Sequence, residues 1–368
     1  MQEKILEVQK PLRKSGIDLL KIIAILLICI SHANQTLRGV YDFPSFNFWN
    51  AVSIAMSPFG QFGNILFVTC SCFFLADKDR TRTEKTVNLL FDSTLISICI
   101  LMIFLLSGQS LDLKTIVHQI LPDLFAMNWF VPCYVVFYIT APIAIKGLRQ
   151  LPQKVHFAFI LFFAVAYGCL GIVGIGIIGS TLLSFFHILI IITYLKWYTP
   201  KIFESKKKNF IVFIISMLFF YVCYFGFMLL AKKISFFGRF SFTSMNSPLL
   251  LVPLIALFNC FAAMKFNSKF ISYLSGLSLF VYVIHENYLL RSITRVAYYN
   301  YVLENFGENL AIIWLILCGI FMFVVGFALA ALYKETLHRL TAKLSSAAMK
   351  LITKLYDFVY VKIFERNK

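Results

Sequence analysis

Three ionisable side chains, Asp18, Lys21 and His32, lie in the first apolar stretch of the chain. On a helix, Asp18 and Lys21 share a face and can form an ion pair. Lys21 and His32 fall on one stripe of that helix, about 16 Å apart along its axis. An imidazole can remove a proton from a hydroxyl near neutral pH. His32 is therefore the candidate general base. It could act directly on an acceptor hydroxyl or help to form a covalent intermediate.

A second pair of ionisable residues, His285 and Glu286, lies in a later apolar stretch. Ionisable groups inside a membrane are costly, which makes them candidates for a function. Consecutive residues of a helix do not face the same way. We therefore expect one of the two to point toward His32 and the other to face the next helix or Arg291. Tyr282, one turn before Glu286, is a candidate substrate-binding residue.

Two further groups of residues could bind substrates. Arg80, Arg82 and Lys85 follow the second apolar stretch, where they could bind the phosphates of coenzyme A or serve only as a topology signal. Trp129 and Tyr134 could form a platform on which a sugar stacks, or part of an aromatic belt at the membrane surface.

The composition shows what kind of protein must position these groups. Of the 368 residues, 60% are hydrophobic and 14% are charged, and 41 are Phe. A soluble domain has about 45–50% apolar and about 25% charged residues. These values exclude a soluble globular enzyme, a disordered chain and a disulfide scaffold. They predict an all-α, polytopic membrane protein, because a helix satisfies its own backbone hydrogen bonds in lipid.

Stretches long enough to cross a bilayer, about 17–25 residues each, predict about ten transmembrane helices. The predicted spans cover residues 16–35, 50–76, 87–107, 127–146, 155–172, 177–196, 209–231, 247–265, 271–291 and 309–333. The second contains Ser57 and Pro58 and is expected either to be kinked or to start late. With both termini in the cytoplasm, 26 of the 34 Lys and Arg residues lie on the inner side. This excess agrees with the positive-inside rule.

The remaining signals concern charge and cysteine. The net charge of +17 is interpreted as this topology signal, and no nucleic-acid partner is expected. Nine Cys lie in apolar stretches, so we predict neither disulfides nor a metal site.

The pattern of residues 334–368 predicts a basic amphipathic helix on the inner leaflet. They follow a cytoplasmic segment, 1–15, and a transmembrane domain, 16–333. Lys232, Lys233 and Arg239, in one outer loop, could attract an anionic glycan or a phospholipid-linked acceptor.

Several segments together resemble the acyltransferase 3 family of integral membrane acyltransferases. Asp18, Lys21 and His32 match the family's opening Asp-x-x-(Arg/Lys)…His pattern. Residues 64–79, 128–148 and 274–291 are similar to three later segments of the family, in the same order. Cys72 stands where the family usually has Gly.

The resemblance implies an O-acyltransferase, most often an O-acetyltransferase, in the cytoplasmic (inner) membrane. Such an enzyme takes the acyl group from cytoplasmic acyl-CoA, as a donor substrate rather than a bound cofactor. Its acceptor is a surface glycan or a lipid-linked precursor on the other side of the bilayer. In this framework Asp18, Lys21, His32, His285 and Glu286 are the candidate catalytic residues. The alternative is a secondary transporter or a flippase of lipid-linked glycan. The sequence leaves the oligomeric state open.

Overall fold

The computed structural model describes residues 15–43, 47–78, 80–81, 83–125, 127–175 and 181–360, and the described part contains helices but no strands. The first eight α-helices are α1 (Ser15–Val40), α2 (Phe48–Met56), α3 (Phe59–Leu75), α4 (Thr83–Leu106), α5 (Leu113–Ile120), α6 (Phe130–Arg149), α7 (Gln153–Phe163) and α8 (Leu170–Ile172). A π-helical stretch, Ala164–Cys169, joins α7 to α8.

The remaining α-helices are α9 (Thr181–Tyr198), α10 (Lys206–Lys233), α11 (Pro248–Ala262), α12 (Lys269–His285), α13 (Arg295–Phe306), α14 (Ala311–Thr336) and α15 (His338–Tyr360). Among the described residues, eight helical segments are long and apolar enough to cross a membrane, and α11 and α12 are shorter apolar helices. Together these ten segments follow the ten predicted spans in order. The prediction of an all-α polytopic bundle is confirmed.

The kink predicted in the second span is present. α2 ends at Met56 and α3 begins at Phe59, so the span is divided at Ser57 and Pro58. Proline at this point has no N–H with which to continue the hydrogen-bonding ladder of α2. The kink turns α3 so that it can run alongside α1.

α1 is the central helix, and it is in contact with α3, α11, α12 and α14. Two glycines of neighbouring helices allow close contacts with it. A Cβ added to Gly63 of α3 would lie 2.5 Å from the carbonyl oxygen of Ala24, and one added to Gly319 of α14 would lie 2.9 Å from Ile30. Small residues allow helices in a membrane to approach this closely. α1 is therefore held between neighbours on both sides.

Other helices line the periphery. In α10 only Asn209 and Phe220 are buried, which fits a helix that faces lipid along most of its length. Lys232 and Lys233 at the end of this helix, and Arg239 in the segment that follows it, are exposed.

The ninth predicted span, residues 271–291, is not one continuous helix. α12 ends at His285, Glu286 and Asn287 are not helical, and a π-helical turn, Leu290–Thr294, leads into α13. Breaks and π-turns of this kind occur often at functional sites. The break turns the chain just after His285.

The segment between α4 and α6, predicted as an outer loop, folds back into the bundle. It contains the short helix α5, and Gln119 of that helix is fully buried. Its side-chain oxygen accepts a hydrogen bond from Ser97, in the middle of α4, at 2.8 Å. A buried amide needs such partners, since an unpaired one is costly.

The predicted tail helix is present as α15, and it contacts α4. Asp92 of α4 is buried and accepts hydrogen bonds from Tyr333 at 2.6 Å and Thr341 at 2.5 Å. His338 lies 3.0 Å from the same oxygen. The beginning of α15 is therefore attached to α4 by polar contacts. The placement of α15 on the inner leaflet stays a prediction. Residues 1–14 and 361–368 lie outside the described residues, so what was predicted for these two segments also stays a prediction.

Candidate active site

The centre of the site is a contact between α1 and the break after α12. The Nδ1 atom of His32 is in contact with the Oε2 atom of Glu286 and lies 3.1 Å from the Nε2 atom of His285. The His32 side chain is 14% exposed, whereas those of His285 and Glu286 are buried. His285 and Glu286 therefore both reach His32. The expectation that only one of them would do so was wrong, because the helix ends between them.

The hydrogen-bond partners determine where the protons lie. The Nδ1 atom of His285 is 2.7 Å from the carbonyl oxygen of Val281, which can only accept. His285 therefore carries its proton on Nδ1 and presents a lone pair at Nε2. Since Nδ1 of His32 faces that lone pair and a carboxylate, it must be the donor. The Nε2 atom of neutral His32 is then left as a base.

Two arginines surround Glu286. Arg291 donates a hydrogen bond to its Oε1 atom at 2.9 Å, as the sequence suggested. Arg295 lies 3.6 Å from Oε2 and donates to the carbonyl oxygen of His285 at 3.0 Å. With one carboxylate and two guanidinium groups, the cluster has an excess of positive charge when His32 is neutral. Such a cluster favours ligands or intermediates that carry negative charge.

The break after α12 is held in place by residues from elsewhere in the chain. Asn287 donates hydrogen bonds to Gln119 at 2.8 Å and to Ser97 at 3.2 Å. Its side-chain oxygen accepts from the backbone N–H of Leu289 at 3.0 Å and so caps the next helical turn. α4 and α5 therefore fix the position of the residue next to Glu286.

A cavity of about 270 Å³ lies at the His32 end of α1. Following the predicted topology, this is the outer end of the bundle. The cavity is lined by His32, Gln35, Thr36, Gly39, Val40, Glu286, Arg291, Arg295 and Val296. A small polar ligand in this space would lie directly beside His32.

The stripe predicted on α1 faces the interior of the bundle. Ile25 and Ile28, which lie on this stripe between Lys21 and His32, contact a small gap of about 10 Å³. The same gap is lined by Asn64, Phe67, Phe130, Leu279 and Tyr282. At the inner end of the stripe, the Lys21 ammonium lies 5.4 Å from the ring centre of Phe74. We call this line of packed side chains between α1, α3, α6 and α12 the interior seam; it lies along the stripe between Lys21 and His32.

Asp18 belongs to a different contact. Its carboxylate accepts hydrogen bonds from Ser272 at 2.8 Å and Ser275 at 2.9 Å, both near the beginning of α12. It lies about 21 Å from His32 along the helix axis. Asp18 therefore joins α1 to α12 and does not take part in the His32 cluster.

The three candidate substrate-binding aromatics lie at different places. Tyr282 is buried beside the cluster, with its ring centre 5.8 Å from that of His285. Trp129, just before α6, is 37% exposed. Tyr134 lies one turn further along α6, and its hydroxyl donates to Ser71 at 3.3 Å. Only Tyr282 is brought to His32, so the shared platform of Trp129 and Tyr134 stays a prediction.

The candidate donor-binding residues lie at the inner end of α3 and α4. Arg80 and Lys85 are exposed there, and Arg82 lies outside the described residues. With the predicted topology, exposed cations at this position would be accessible to a ligand from the cytoplasm. Their role in binding coenzyme A stays a prediction.

A metal ion would find three potential ligands in this cluster. One ligand atom from each of His32, His285 and Glu286 lies within 4.8 Å of the others. Two guanidinium groups already face Glu286, however, and they would repel a further cation. The arrangement favours proton transfer over metal binding, and the expected absence of a metal stays a prediction.

Sequence reasoning missed Arg295, which is buried in the cluster. It counted this residue only among the few cations outside the cytoplasmic segments and gave it no role. That position was itself a signal, because an outer cation close to a membrane span has no topological explanation. His187 of α9, in contrast, lies 3.1 Å from the side-chain oxygen of Asn246, in a structural contact outside the His32 cluster.

Comparison with known proteins assigns the chain to a family. The model of the acyltransferase 3 family, described as an acyltransferase domain, matches residues 14–332. No curated protein and no solved structure matches the chain. The match covers most of the chain, from the beginning of α1 almost to the end of α14, and it includes every residue of the His32 cluster. The chain therefore belongs to the acyltransferase 3 family and is a multi-pass membrane acyltransferase.

Proposed function

We propose that the protein is an O-acyltransferase of the cytoplasmic membrane that transfers an acetyl group from cytoplasmic acetyl-CoA to a hydroxyl of an extracytoplasmic glycan or a lipid-linked glycan precursor. One observation carries the proposal. The Nδ1 atom of His32 is held by Glu286 and His285, which leaves Nε2 as a base beside a cavity at the outer end.

In the proposed reaction His32 acts as the general base. Its Nε2 atom takes the proton of the acceptor hydroxyl while that oxygen forms a bond to the thioester carbonyl carbon. When the tetrahedral intermediate collapses, the carbon–sulfur bond breaks and the imidazolium returns the proton to the departing thiolate of coenzyme A. Glu286 stabilises the positive charge that His32 carries between the two steps. A positioned base of this kind contributes about 10²–10⁴-fold to the rate.

Arg295 is suited to the negative charge of the intermediate. It is buried beside Glu286, and its Nη1 atom has no hydrogen-bond partner. A buried donor without an acceptor costs about 1–3 kcal/mol. An oxyanion that forms only during the reaction would relieve this cost at the moment when stabilisation is needed. Arg295 is therefore the proposed oxyanion donor.

The surroundings of His32 favour direct transfer over a serine-linked intermediate. The hydroxyl of Ser31, the neighbouring residue, donates to the carbonyl oxygen of Ser57 at 3.3 Å. It is therefore engaged with the kink between α2 and α3 and not with His32. In our proposal the acceptor attacks the donor thioester itself, with both substrates bound.

The donor would reach His32 along the interior seam from the inner side. Lys21 lies at the inner end of the seam, and Arg80 and Lys85 are exposed at the same end of the bundle. Coenzyme A carries phosphates that bind such cations through charge-assisted hydrogen bonds. The seam is closed near Ile28 and Phe130, where the gap measures about 10 Å³. Side chains there must move when the pantetheine arm enters.

The proposal can be tested in sealed vesicles from a strain that produces the protein. Radiolabelled acetyl-CoA is supplied on the cytoplasmic side, and the label is followed into glycan and lipid-linked fractions. We expect transfer with the original protein and none with His32→Ala. If label appears in neither fraction, or appears equally with His32→Ala, the proposed reaction is wrong.

A further inference from the structure

A second and larger cavity adjoins the His32 cluster. It has a volume of about 680 Å³ and lies between the outer part of α14 and the segment from the end of α12 to α13. Ligand pockets typically measure about 300–1,000 Å³. We refer to it as the lateral groove. Its lining includes Leu317, Phe321 and Val325 of α14 and is apolar apart from a few residues at one edge.

The groove is on the lipid-facing side of the bundle. Leu317, Phe321 and Leu329 line it, and all three are exposed on α14, a helix long enough to span a membrane. Such a surface is surrounded by hydrocarbon in a bilayer, so a groove in it is accessible from the lipid. A single hydrocarbon chain is the kind of ligand that its shape and lining accept.

The polar edge of the groove belongs to the candidate active site. His285 and Arg295 line the groove, and Arg295 also lines the smaller cavity beside His32. Arg291 lines the smaller cavity and is paired with Glu286 yet 41% exposed. The lateral groove and the cavity beside His32 therefore adjoin each other at Arg295.

We propose that the lateral groove binds the hydrocarbon chain of the acceptor, which is a lipid-linked saccharide joined to its chain through phosphate. This inference rests on the proposed function and selects the lipid-linked acceptor over a free surface glycan. The linking phosphate lies at Arg291, where the excess positive charge of the cluster attracts it. The sugar then occupies the cavity beside His32, and the chain extends along α14.

The position of the groove favours the acceptor over the donor. α14 begins at the outer end, where Ala311 packs in the same cluster as Ala33 and Leu37 of α1. The groove extends from Trp314 to Leu329 and so begins within one turn of the outer end of α14 (Ala311–Thr336) and ends before its inner end. The donor approaches from the opposite end, beside Lys21.

The test measures binding without acyl transfer. The full-length protein is reconstituted in vesicles of phosphatidylglycerol and phosphatidylcholine with a polyprenyl phosphate that carries a diazirine on its chain, in the absence of acetyl-CoA. After illumination the labelled residues are mapped by mass spectrometry. We expect label on α14 within residues 314–329. We also expect competition by unlabelled polyprenyl phosphate at about tenfold excess, but not by the uncharged polyprenol.

Matched variants connect the label to the groove. Val325→Trp fills the groove, whereas Val324→Trp adds the same bulk to the neighbouring residue, which is exposed outside it. We expect at least a fivefold loss of label with Val325→Trp and no loss with Val324→Trp. Leu317→Trp and Ile316→Trp form a second pair, which decides the matter if Val325→Trp does not accumulate.

Equal labelling by a diazirine phosphatidylglycerol, or equal labelling of both members of a pair, would show that the groove holds only bulk lipid and would overturn the inference. Because His32→Ala should bind the probe normally, the two proposals fail separately. Specific labelling without acyl transfer contradicts the proposed function alone. Transfer that depends on His32, without specific labelling, contradicts the groove alone.

Discussion

The Nδ1 atom of His32 contacts the Oε2 atom of Glu286 across the interface between α1 and the break after α12. This contact gives one ring nitrogen a fixed donor role and leaves the other as a base. It also joins the first and ninth predicted spans of the chain at their outer ends. The predictions below follow from this contact and from the features that support it.

Replacement of His32 should separate chemistry from assembly. His32→Ala should lower kcat by about 10²–10⁴-fold, the usual contribution of a positioned base, while the protein still accumulates in the membrane. His32→Gln keeps a hydrogen-bonding side chain and should be equally inactive. The measurements are glycan acetylation by mass spectrometry and protein level by immunoblot. Retained acetylation in the His32→Ala strain contradicts the assignment.

Glu286 should act as a positioning residue for His32. Glu286→Gln removes the charge that supports the imidazolium and leaves Arg295 buried without its counterion. We expect kcat to fall by about 10²-fold, with the KM for the donor nearly unchanged. Glu286→Asp, which keeps the carboxylate, should recover part of the rate. An equal loss with Gln and Asp would indicate a packing role only.

Lys21 should tolerate Arg but not Ala. Lys21→Arg keeps a cation beside Phe67 and Phe74 at the inner end of the seam. The sequence alone suggested that Lys21→Ala would leave the Asp18 carboxylate unpaired. In the structure Asp18 accepts hydrogen bonds from Ser272 and Ser275. The Lys21→Ala protein should therefore still fold.

We expect Lys21→Ala to raise the KM for acetyl-CoA by about tenfold, as the loss of one charge-assisted contact implies. Lys334→Ala is the control, because this cation also lies over an aromatic ring, that of Tyr273, but is outside the seam. Full activity of Lys21→Ala would show that the stripe has no role in donor binding.

The basic cluster after α3 should affect the donor and not the acceptor. Neutralising Arg80, Arg82 and Lys85 to Gln should raise the KM for acetyl-CoA in vesicles by about tenfold or more, because each phosphate contact contributes about 1.5–3 kcal/mol. Neutralising Lys343, Lys350 and Lys354 of α15 makes the same change in charge elsewhere and is the control. Cysteine labelling verifies the topology of both triple variants. Equal KM values would reduce the cluster to a topology signal.

The contact between α4 and α15 should depend on Asp92. Asp92→Asn weakens hydrogen bonds from Tyr333 and Thr341, and a hydrogen bond to a charged acceptor contributes about 1.5–3 kcal/mol. We expect trypsin to cleave within α15 at least several times faster. Asp112→Asn alters an exposed cap of α5 and serves as the control. Unchanged cleavage of Asp92→Asn would show that the tail is held by other contacts.

The features that the sequence predicted are those that depend on local patterns. Long apolar runs predicted ten spans, since a spanning helix satisfies its backbone within itself. Helical periodicity brought Lys21 and His32 onto one stripe, and the structure turns Ile25 and Ile28 of that stripe into the interior. Pro58 predicted the kink because proline lacks an N–H.

The features that escaped prediction depend on contacts between distant parts of the chain. The break after His285 is held by Gln119 and Ser97, which are far from it in the sequence. Its only local signal is Asn287, a residue type that caps helices, and that signal was passed over. For the same reason, the joint approach of His285 and Glu286 to His32 was not foreseen. Asp92 is an acidic residue within a predicted span, and such a residue is a signal of a specific contact or function. This signal was passed over.

The close contacts of α1 with Gly63 and Gly319 have a consequence for how transfer across a bilayer can work. A helix fixed on both sides by glycine contacts cannot slide or rotate without collisions of its own backbone. These contacts favour a His32 that stays at one depth in the bilayer. In the proposed reaction the acetyl group would then not cross on a moving arm, and the two substrates would extend toward a stationary meeting point from opposite leaflets.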